Sequence, residues 1–294
     1  MDEVYSLFGT SHMPHMKKLI INVALTGNFS SKSENPAVPY TPDEIADDVS
    51  KCFGAGARFF HIHARDEGGK PTCRKEAFGE ILAKVRKKCP EAILCATTSG
   101  RIFKSFEERS GVLELEGEAK PDFASLSLGS MNFPTEPSVN SPEMIERLAR
   151  KMAEKNILPE LEVFETGMLN YGSYLMRKGK FSAPPYFNLF FGLLGTMPGR
   201  MIDICHQVHS VPPGAVWGAA GGGRFQLPVN TAAILMGGHV RVGLEDNLFY
   251  DAAKTAPATN EMLVQRVARL AGEIGRPIAG PDEARKMLGL TSSG

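Results

Sequence analysis

The chain has 294 residues, with 33 basic and 33 acidic side chains and 43% hydrophobic residues. Such a length suits one large domain or two smaller ones and is ample for a buried core. A formal net charge of zero gives no electrostatic sign of nucleic-acid binding. The apolar fraction argues against a disordered chain, and the lack of any run of about 18 uncharged apolar residues argues against a membrane-spanning helix. We therefore expect a soluble globular protein without nucleic-acid or membrane partners.

The five cysteines are scattered along the chain, and no two of them form a Cys-x-x-Cys pair. This pattern argues against a disulfide framework and indicates a reducing compartment, so we expect a cytoplasmic protein. The sequence opens with Met1-Asp2-Glu3-Val4, which the apolar segment of a secretory signal does not follow. We interpret residues 1–16 as an irregular arm or leader and expect the regular fold over residues 17–294.

From Lys17 onward, short apolar runs rich in β-branched and aromatic residues alternate with longer segments of helical period. Short continuous apolar runs are typical of strands that are buried on both faces, as in a parallel sheet covered by helices. The alternation predicts eight strands, at residues 19–25, 58–63, 92–97, 123–128, 161–164, 187–191, 215–219 and 240–244.

Helix start signals lie between these predicted strands. Thr41 is followed by Pro42 and Glu44, which is a capping-box pattern with proline at the first helical position. Similar starts lie at Ser141 and at residue 259 or 260, each followed by an apolar stripe. Eight strand–helix units without a break in composition favour the α/β class and a single-domain (β/α)8 TIM barrel. An open doubly wound sheet is the alternative, but no glycine-rich dinucleotide fingerprint follows the first strand.

The second predicted strand ends in two histidines, His61 and His63. Side chains two residues apart on a strand point the same way, so both imidazoles would project into the barrel mouth. Strand 8 leads into Glu245 and is separated from strand 2 only by strand 1 in a closed barrel. Two imidazoles and one carboxylate can bind a divalent cation and leave positions open for a substrate. The alternative interpretation is one histidine in the core and one that hydrogen-bonds a backbone carbonyl.

The end of strand 8 also carries a candidate base. Arg241 and Glu245 share strand parity and can face the same interior, while the adjacent Asp246 need not bind the cation. Such a free carboxylate can remove a proton from a substrate. Taken alone, Glu245-Asp246-Asn247 is equally well explained as a solvated loop and helix cap.

Several of these segments resemble the β-keto acid cleavage enzymes. The similarity lies in residues 23–27, residues 54–63 with the histidine pair, residues 237–241 and residues 243–247, and it extends from about Lys17 to Leu290. The resemblance implies a (β/α)8 barrel, a homotetramer and a divalent metal, normally zinc. It also implies a reaction in which a β-keto acid and acetyl-CoA give acetoacetate and a new acyl-CoA.

The resemblance also assigns roles to individual residues. It implies that the metal binds to His61, His63 and Glu245, that Asp246 is the general base, and that Arg241 orients this base. Residues expected near the substrate, by the same resemblance, are Asn28, Thr97, Gly100 and Ser125.

One departure from the family pattern concerns the substrate tail. The type enzyme has a glutamate that pairs with the amino group of its substrate, and Phe29 stands at that position here. A phenyl ring cannot balance a buried ammonium group, so we expect a tail that is neutral or apolar.

Two glycine-rich loops are candidates for binding CoA, at residues 195–200 and 221–224. Backbone amides and arginines in such loops suit phosphates, which makes Gly222 and Arg224 weak candidates, although tight barrel turns explain the glycines equally well. The main alternative function is a metal-dependent barrel lyase, aldolase or hydrolase that does not use CoA. A barrel that binds but has lost activity is a third interpretation, which the intact set of site residues disfavours.

Overall fold

A computed structural model describes residues 17–134, 136–181 and 184–290, so the predicted arm at residues 1–16 lies outside the described part of the chain. Eight parallel strands close into one barrel, with the last strand paired to the first. This arrangement confirms the predicted (β/α)8 barrel. The barrel strands are β1 (Ile21–Ala24), β2 (Phe59–Ile62), β3 (Ile93–Ala96), β4 (Phe123–Ser127), β5 (Leu158–Val163), β6 (Tyr186–Phe191), β7 (Val216–Gly221) and β8 (His239–Val242).

Each barrel strand is followed by a helix of the same number, and a ninth helix ends the described chain. The helices are α1 (Pro42–Gly54), α2 (Lys75–Lys88), α3 (Phe106–Ser110), α4 (Pro142–Glu154), α5 (Thr166–Arg177), α6 (Met201–His209), α7 (Gln226–Leu235), α8 (Asn260–Glu273) and α9 (Pro281–Met287). Two small hairpins lie in the loops after β2 and β4, pairing Ala64–Arg65 with Pro71–Thr72 and Met131–Asn132 with Pro137–Ser138. No helix within the described ranges is both long and apolar enough to cross a membrane.

The predicted helix starts are confirmed by their hydrogen bonds. The Thr41 side chain accepts from the Glu44 amide, and the Glu44 carboxylate accepts from the Thr41 amide. Ser141 and Thr259 cap α4 and α8 in the same manner, each through its side-chain oxygen. These caps satisfy amides that a helix leaves without internal partners, so the local sequence sets where the helices begin.

The barrel interior is layered. Near the amino-terminal ends of the strands, Phe59, Phe123 and Tyr186 pack edge to face and fill the barrel, with ring centroids 5.0 to 6.5 Å apart. One step further along the strands the interior becomes polar, although it stays fully buried. The members of this polar layer are Asn22, His61, Cys95, Ser125, Glu160, Asn188 and Arg241. Polar groups that are buried inside a closed barrel need hydrogen-bond partners there. In (β/α)8 barrels the functional site lies at the carboxyl ends of the strands.

The start of β5 differs from the prediction. The apolar pattern predicts a start at residue 161, whereas the strand begins at Leu158 and contains Glu160 and Glu162. Acidic residues oppose a buried-strand interpretation, but here both carboxylates point into the polar interior, where donors receive them. The difference matters because Glu160 lies at the centre of the site.

Gly243, directly after β8, connects the fold to the site. Its φ of +140° is a conformation that favours glycine, and an added Cβ would overlap the Ala24 carbonyl of β1. We expect Gly243→Ala to lower the free energy of unfolding by at least about 2 kcal/mol, measured by urea denaturation. Gly272→Ala, at an exposed helical position with open space around it, should be neutral or slightly stabilising. Equal changes in the free energy of unfolding of the two variants would contradict the claim that this turn needs glycine.

The buried His239 makes the free energy of unfolding depend on pH. Burial, with the charges of Arg276 and Lys17, lowers the pKa of His239 to about 3, and its Nδ1 accepts a hydrogen bond from the Ile20 amide. The unfolded chain therefore binds more protons between pH 6.5 and 3, and stability falls as the pH drops through this window. Between pH 6.5 and 4.5 we expect a loss of roughly 2 kcal/mol that His239→Gln no longer shows. An unchanged pH slope of the unfolding free energy in this variant would refute the assignment.

Candidate active site

The two predicted histidines meet at the carboxyl end of β2. His61 lies on the strand and His63 directly follows it; both are buried, and their Nε2 atoms lie 3.2 Å apart. The Nδ1 atom of His61 donates to Glu160 at 2.7 Å, and the Nδ1 atom of His63 donates to the Asn28 side-chain oxygen at 3.0 Å. Burial and Arg241 oppose the charged form of His61, but Glu160 and Glu245 outweigh them and raise its pKa, whereas burial lowers the pKa of His63. When both rings are neutral and donate through Nδ1, their Nε2 lone pairs face each other. Two such lone pairs repel unless a positive charge lies between them.

Glu245 completes the set of donor atoms. Its carboxylate lies 3.3 Å from the Nε2 atom of His63 and 4.0 Å from that of His61, and its Oε2 atom is buried without a hydrogen-bond partner. The three ligand atoms all lie within 4.8 Å of one another. Tetrahedral zinc with bonds of about 2.0–2.1 Å to nitrogen separates two such nitrogens by roughly 3.3 Å. The arrangement therefore fits a divalent cation held by His61, His63 and Glu245.

The charges around this point also favour a cation. Four carboxylates are fully or largely buried at the site, on Glu160, Glu162, Glu245 and Asp246, and the guanidinium of Arg241 pairs with three of them. Burying unbalanced negative charge is costly, and a divalent cation at the three donor atoms would offset it. Burial opposes ionisation of Glu245, yet the charges of His63, Arg241 and His61 hold its pKa well below the ordinary value. Glu245 is thus ionised and ready to bind a cation.

Arg241 joins the candidate ligand to the candidate base. Its Nε donates to Asp246 at 2.9 Å, and its Nη2 lies 3.0 Å from Glu245 Oε1. Burial acts against the charged guanidinium, but Asp246 and Glu245 outweigh it and raise the pKa of Arg241 well above its ordinary value. Burial and the nearby charge of Glu245 raise the pKa of Asp246 despite Arg241. The carboxylate is therefore held in place by a permanent charge and is more basic than an exposed aspartate.

Glu160 is the central residue that the sequence analysis missed. Its fully buried carboxylate accepts from Asn22 and Asn188 on one oxygen and from His61 and Cys95 on the other, at 2.7 to 3.2 Å. Burial alone would raise its pKa, but His61, Arg241 and these hydrogen bonds lower the pKa to about 2. The alternation Glu160-Leu161-Glu162 in an apolar segment was the available signal, since it places both carboxylates on one face of a strand.

A cavity of about 290 Å³ opens over this centre at the carboxyl ends of the strands. The candidate ligands His63 and Glu245 line it, as do Arg241 and Asp246. Two of the predicted substrate residues, Asn28 and Thr97, also line it. The other residues of the lining are Phe29, Ser99, Arg101, Ser127, Met131, Phe133, Pro134, Ser138, Glu162, Phe164, Phe190, Leu193 and Leu194.

The other two predicted substrate residues lie outside this lining. The Ser125 hydroxyl accepts from the Thr98 amide at 3.1 Å, in the polar layer below the cavity. Ser127, one step nearer the mouth on the same face of β4, is the hydroxyl that reaches the cavity. Gly100 packs against Arg109, whose guanidinium would lie 2.7 Å from an added Cβ. Both residues thus contact the loop after β3 or lie in it, and their role near the substrate stays a prediction.

The two loops proposed for CoA lie beside the cavity and not in its lining. The Gly222 amide donates to the Phe191 carbonyl, and the glycine packs tightly on Leu193, which leaves no room for a side chain. The Gly223 amide donates to the Asp246 carbonyl at 2.8 Å, so this loop touches the segment that carries the base. Arg224 is exposed. A role of these residues in CoA binding stays a prediction.

Comparison with known proteins agrees with the geometry. The profile of the beta-keto acid cleavage enzyme family matches residues 18–290. The chain belongs to this family. It is 40% identical to the 3-keto-5-aminohexanoate cleavage enzyme of Fusobacterium nucleatum, over 94% of this chain and 99% of that one. It is 37% identical to the 3-oxoadipate:acetyl-CoA acetyltransferase of Cupriavidus necator, over 93% of this chain and 95% of that one.

A solved structure supports the fold assignment. The apo structure of ObcA superposes with a TM-score of 0.73 at 20% sequence identity. The match covers 87% of this chain and 66% of the ObcA chain. At this identity the likeness shows the barrel fold.

The donor geometry predicts how substitutions affect metal retention. We expect His61→Ala to abolish retention of a divalent cation, measured by elemental analysis of dialysed protein, because it removes one of three ligand atoms. Glu160→Gln should weaken metal affinity by about 10- to 100-fold, since it loosens the His61 ring without removing a ligand. His206→Ala, at an exposed position on α6, is the matched control and should retain the metal. Full metal content in His61→Ala would place the cation elsewhere.

Proposed function

We propose that this protein is a metal-dependent enzyme that condenses a β-keto acid with acetyl-CoA, giving acetoacetate and a new acyl-CoA. The observation that carries the proposal is the placement of three metal-ligand atoms beside an aspartate held by Arg241, all at one cavity. The names of relatives support the co-substrate, since the Cupriavidus necator enzyme is named 3-oxoadipate:acetyl-CoA acetyltransferase.

Asp246 is the base in this proposal. It removes a proton from the carbon between the ketone and the carboxylate of the β-keto acid. The negative charge of the resulting enolate is shared with oxygen. Arg241 binds both oxygens of Asp246 and so fixes the direction in which the carboxylate faces the cavity. The raised pKa of Asp246 brings its basicity closer to the operating pH, which favours proton transfer.

A divalent metal, which we propose to be zinc, would act as a Lewis acid that stabilises developing negative charge on the substrate oxygens. His61, His63 and Glu245 would hold it, with Glu160 and Asn28 fixing the two rings from behind. Asn28 and Thr97 line the cavity, which supports their proposed contact with the substrate.

The remaining steps are those that the resemblance to the β-keto acid cleavage enzymes implies. The enolate attacks the thioester carbonyl of acetyl-CoA and displaces the CoA thiolate. The thiolate then adds to the ketone of the original acid, the carbon–carbon bond breaks, and the carbanion of acetoacetate takes the proton back from Asp246. CoA would be held by the loops that contain Gly222 and Arg224. The Ser127 hydroxyl, at the cavity wall, donates to Glu162 and can therefore accept a hydrogen bond from a substrate group.

We further propose that the enzyme is a cytoplasmic homotetramer. Large apolar side chains on the helical surface support association of subunits, because such groups are seldom left in water over a contiguous area. Ile202 and Leu235, on α6 and α7, are 70% and 60% exposed.

The role of the base is tested by Asp246→Asn. We expect this variant to retain the metal but to lose turnover by at least about 100-fold, because the amide cannot accept the proton. Asp282→Asn, an exposed position on α9, serves as the control and should keep full activity. Acetoacetate formation is measured from a panel of β-keto acids with acetyl-CoA. Activity of Asp246→Asn within a few-fold of the wild type would reject this base, and turnover without acetyl-CoA would favour a barrel lyase or aldolase instead.

A further inference from the structure

Arg101, in the loop after β3, lies in the wall of the active-site cavity. Its guanidinium is held between two aromatic rings, with its central carbon 3.6 Å from the centroid of Phe29 and 4.1 Å from that of Phe133. These rings come from the loops after β1 and β4, so three loops meet around one cation. Contact with two rings restricts the guanidinium, and these cation–π contacts need none of its N–H groups as hydrogen-bond donors.

These N–H groups have no protein partner among the residues that the structure describes. The Arg101 guanidinium makes no hydrogen bond or ion pair there, and its Nε is buried without an acceptor. Arg241, the second guanidinium of the cavity wall, is already bound by Asp246 and Glu245. Arg101 is therefore a charged donor at the cavity that lacks an acceptor.

The missing acceptor can be identified by its chemistry. A guanidinium held flat presents parallel N–H groups that match the two oxygens of a carboxylate. The expectation of a neutral or apolar tail considered Phe29 alone, without the cation that stacks on its ring. The phenyl ring of Phe29 cannot balance an ammonium group. It does contact the Arg101 guanidinium, which can bind an anion.

We propose that Arg101 determines substrate specificity by binding a carboxylate at the far end of the substrate tail, so that the preferred substrate is a β-keto dicarboxylic acid. The proposal rests on the proposed function, since it names the substrate class of that site. Phe29 and Phe133 act as positioning residues that hold the guanidinium plane.

The test compares two six-carbon β-keto acids that differ only at the tail end, 3-oxoadipate and 3-oxohexanoate. Zinc-loaded enzyme is assayed with acetyl-CoA, and binding of each acid is measured separately by calorimetry. The wild type should prefer 3-oxoadipate. Arg101→Gln should lower kcat/KM for 3-oxoadipate by about 10- to 100-fold, mainly through KM, and leave 3-oxohexanoate within about twofold.

Two further variants make the comparison specific. Arg101→Lys keeps the charge without the planar fork and should restore part of the preference. Arg150→Gln makes the same change of charge at an exposed position on α4 and should alter neither substrate.

Each outcome decides the proposal. Equal losses of kcat/KM for both acids would overturn it. Arg101 would then bind either CoA or the β-keto acid portion that the two substrates share. Equal use of both acids by the wild type would overturn it as well. If neither acid is turned over, the proposed function fails, while a calorimetric preference for 3-oxoadipate that Arg101→Gln abolishes would still support the tail site.

Discussion

The hydrogen bond between His61 and Glu160 is the interaction on which the site depends. Glu160 is buried at the centre of the barrel, and its carboxylate stays ionised because four side chains donate to it. By accepting from Nδ1, it fixes His61 with its Nε2 lone pair towards His63. Two Nε2 atoms 3.2 Å apart beside an ionised Glu245 need a proton or a metal cation between them, and the three converging ligand atoms suit a metal cation.

The barrel supplies the geometry that this interaction needs. β1 separates β2 from β8, so the histidines and Glu245 come together only because the sheet closes. The turn at Gly243 brings Glu245 against β1, where its amide donates to the Ala24 carbonyl at 3.1 Å. The next residue, Asp246, then faces the cavity with Arg241 behind it. The strand order of the closed barrel thus brings the metal-ligand residues together and also sets the position of Asp246.

Much of this arrangement can be predicted from local patterns. The strand–helix alternation predicts the barrel, and the parity of His61 and His63 predicts that they converge. The alternation of Glu160, Leu161 and Glu162 was a local signal for a shared face, but the role of Glu160 could not be predicted from it, because its four partners come from strands far apart in sequence. Ser125 and Ser127 share a face, so parity could not tell which one reaches the cavity. The stack of Arg101 between Phe29 and Phe133 joins three loops, and no local pattern predicts a contact of this kind.

The central claim is that one divalent cation binds between the two histidines and Glu245. The most direct test is anomalous diffraction from crystals soaked in zinc. We predict a single strong peak within bonding distance of both Nε2 atoms and the Glu245 carboxylate, beside an Asp246 that does not bind the ion. No peak at this position, or an ion bound instead among His61, Cys95 and Glu160, would contradict the account.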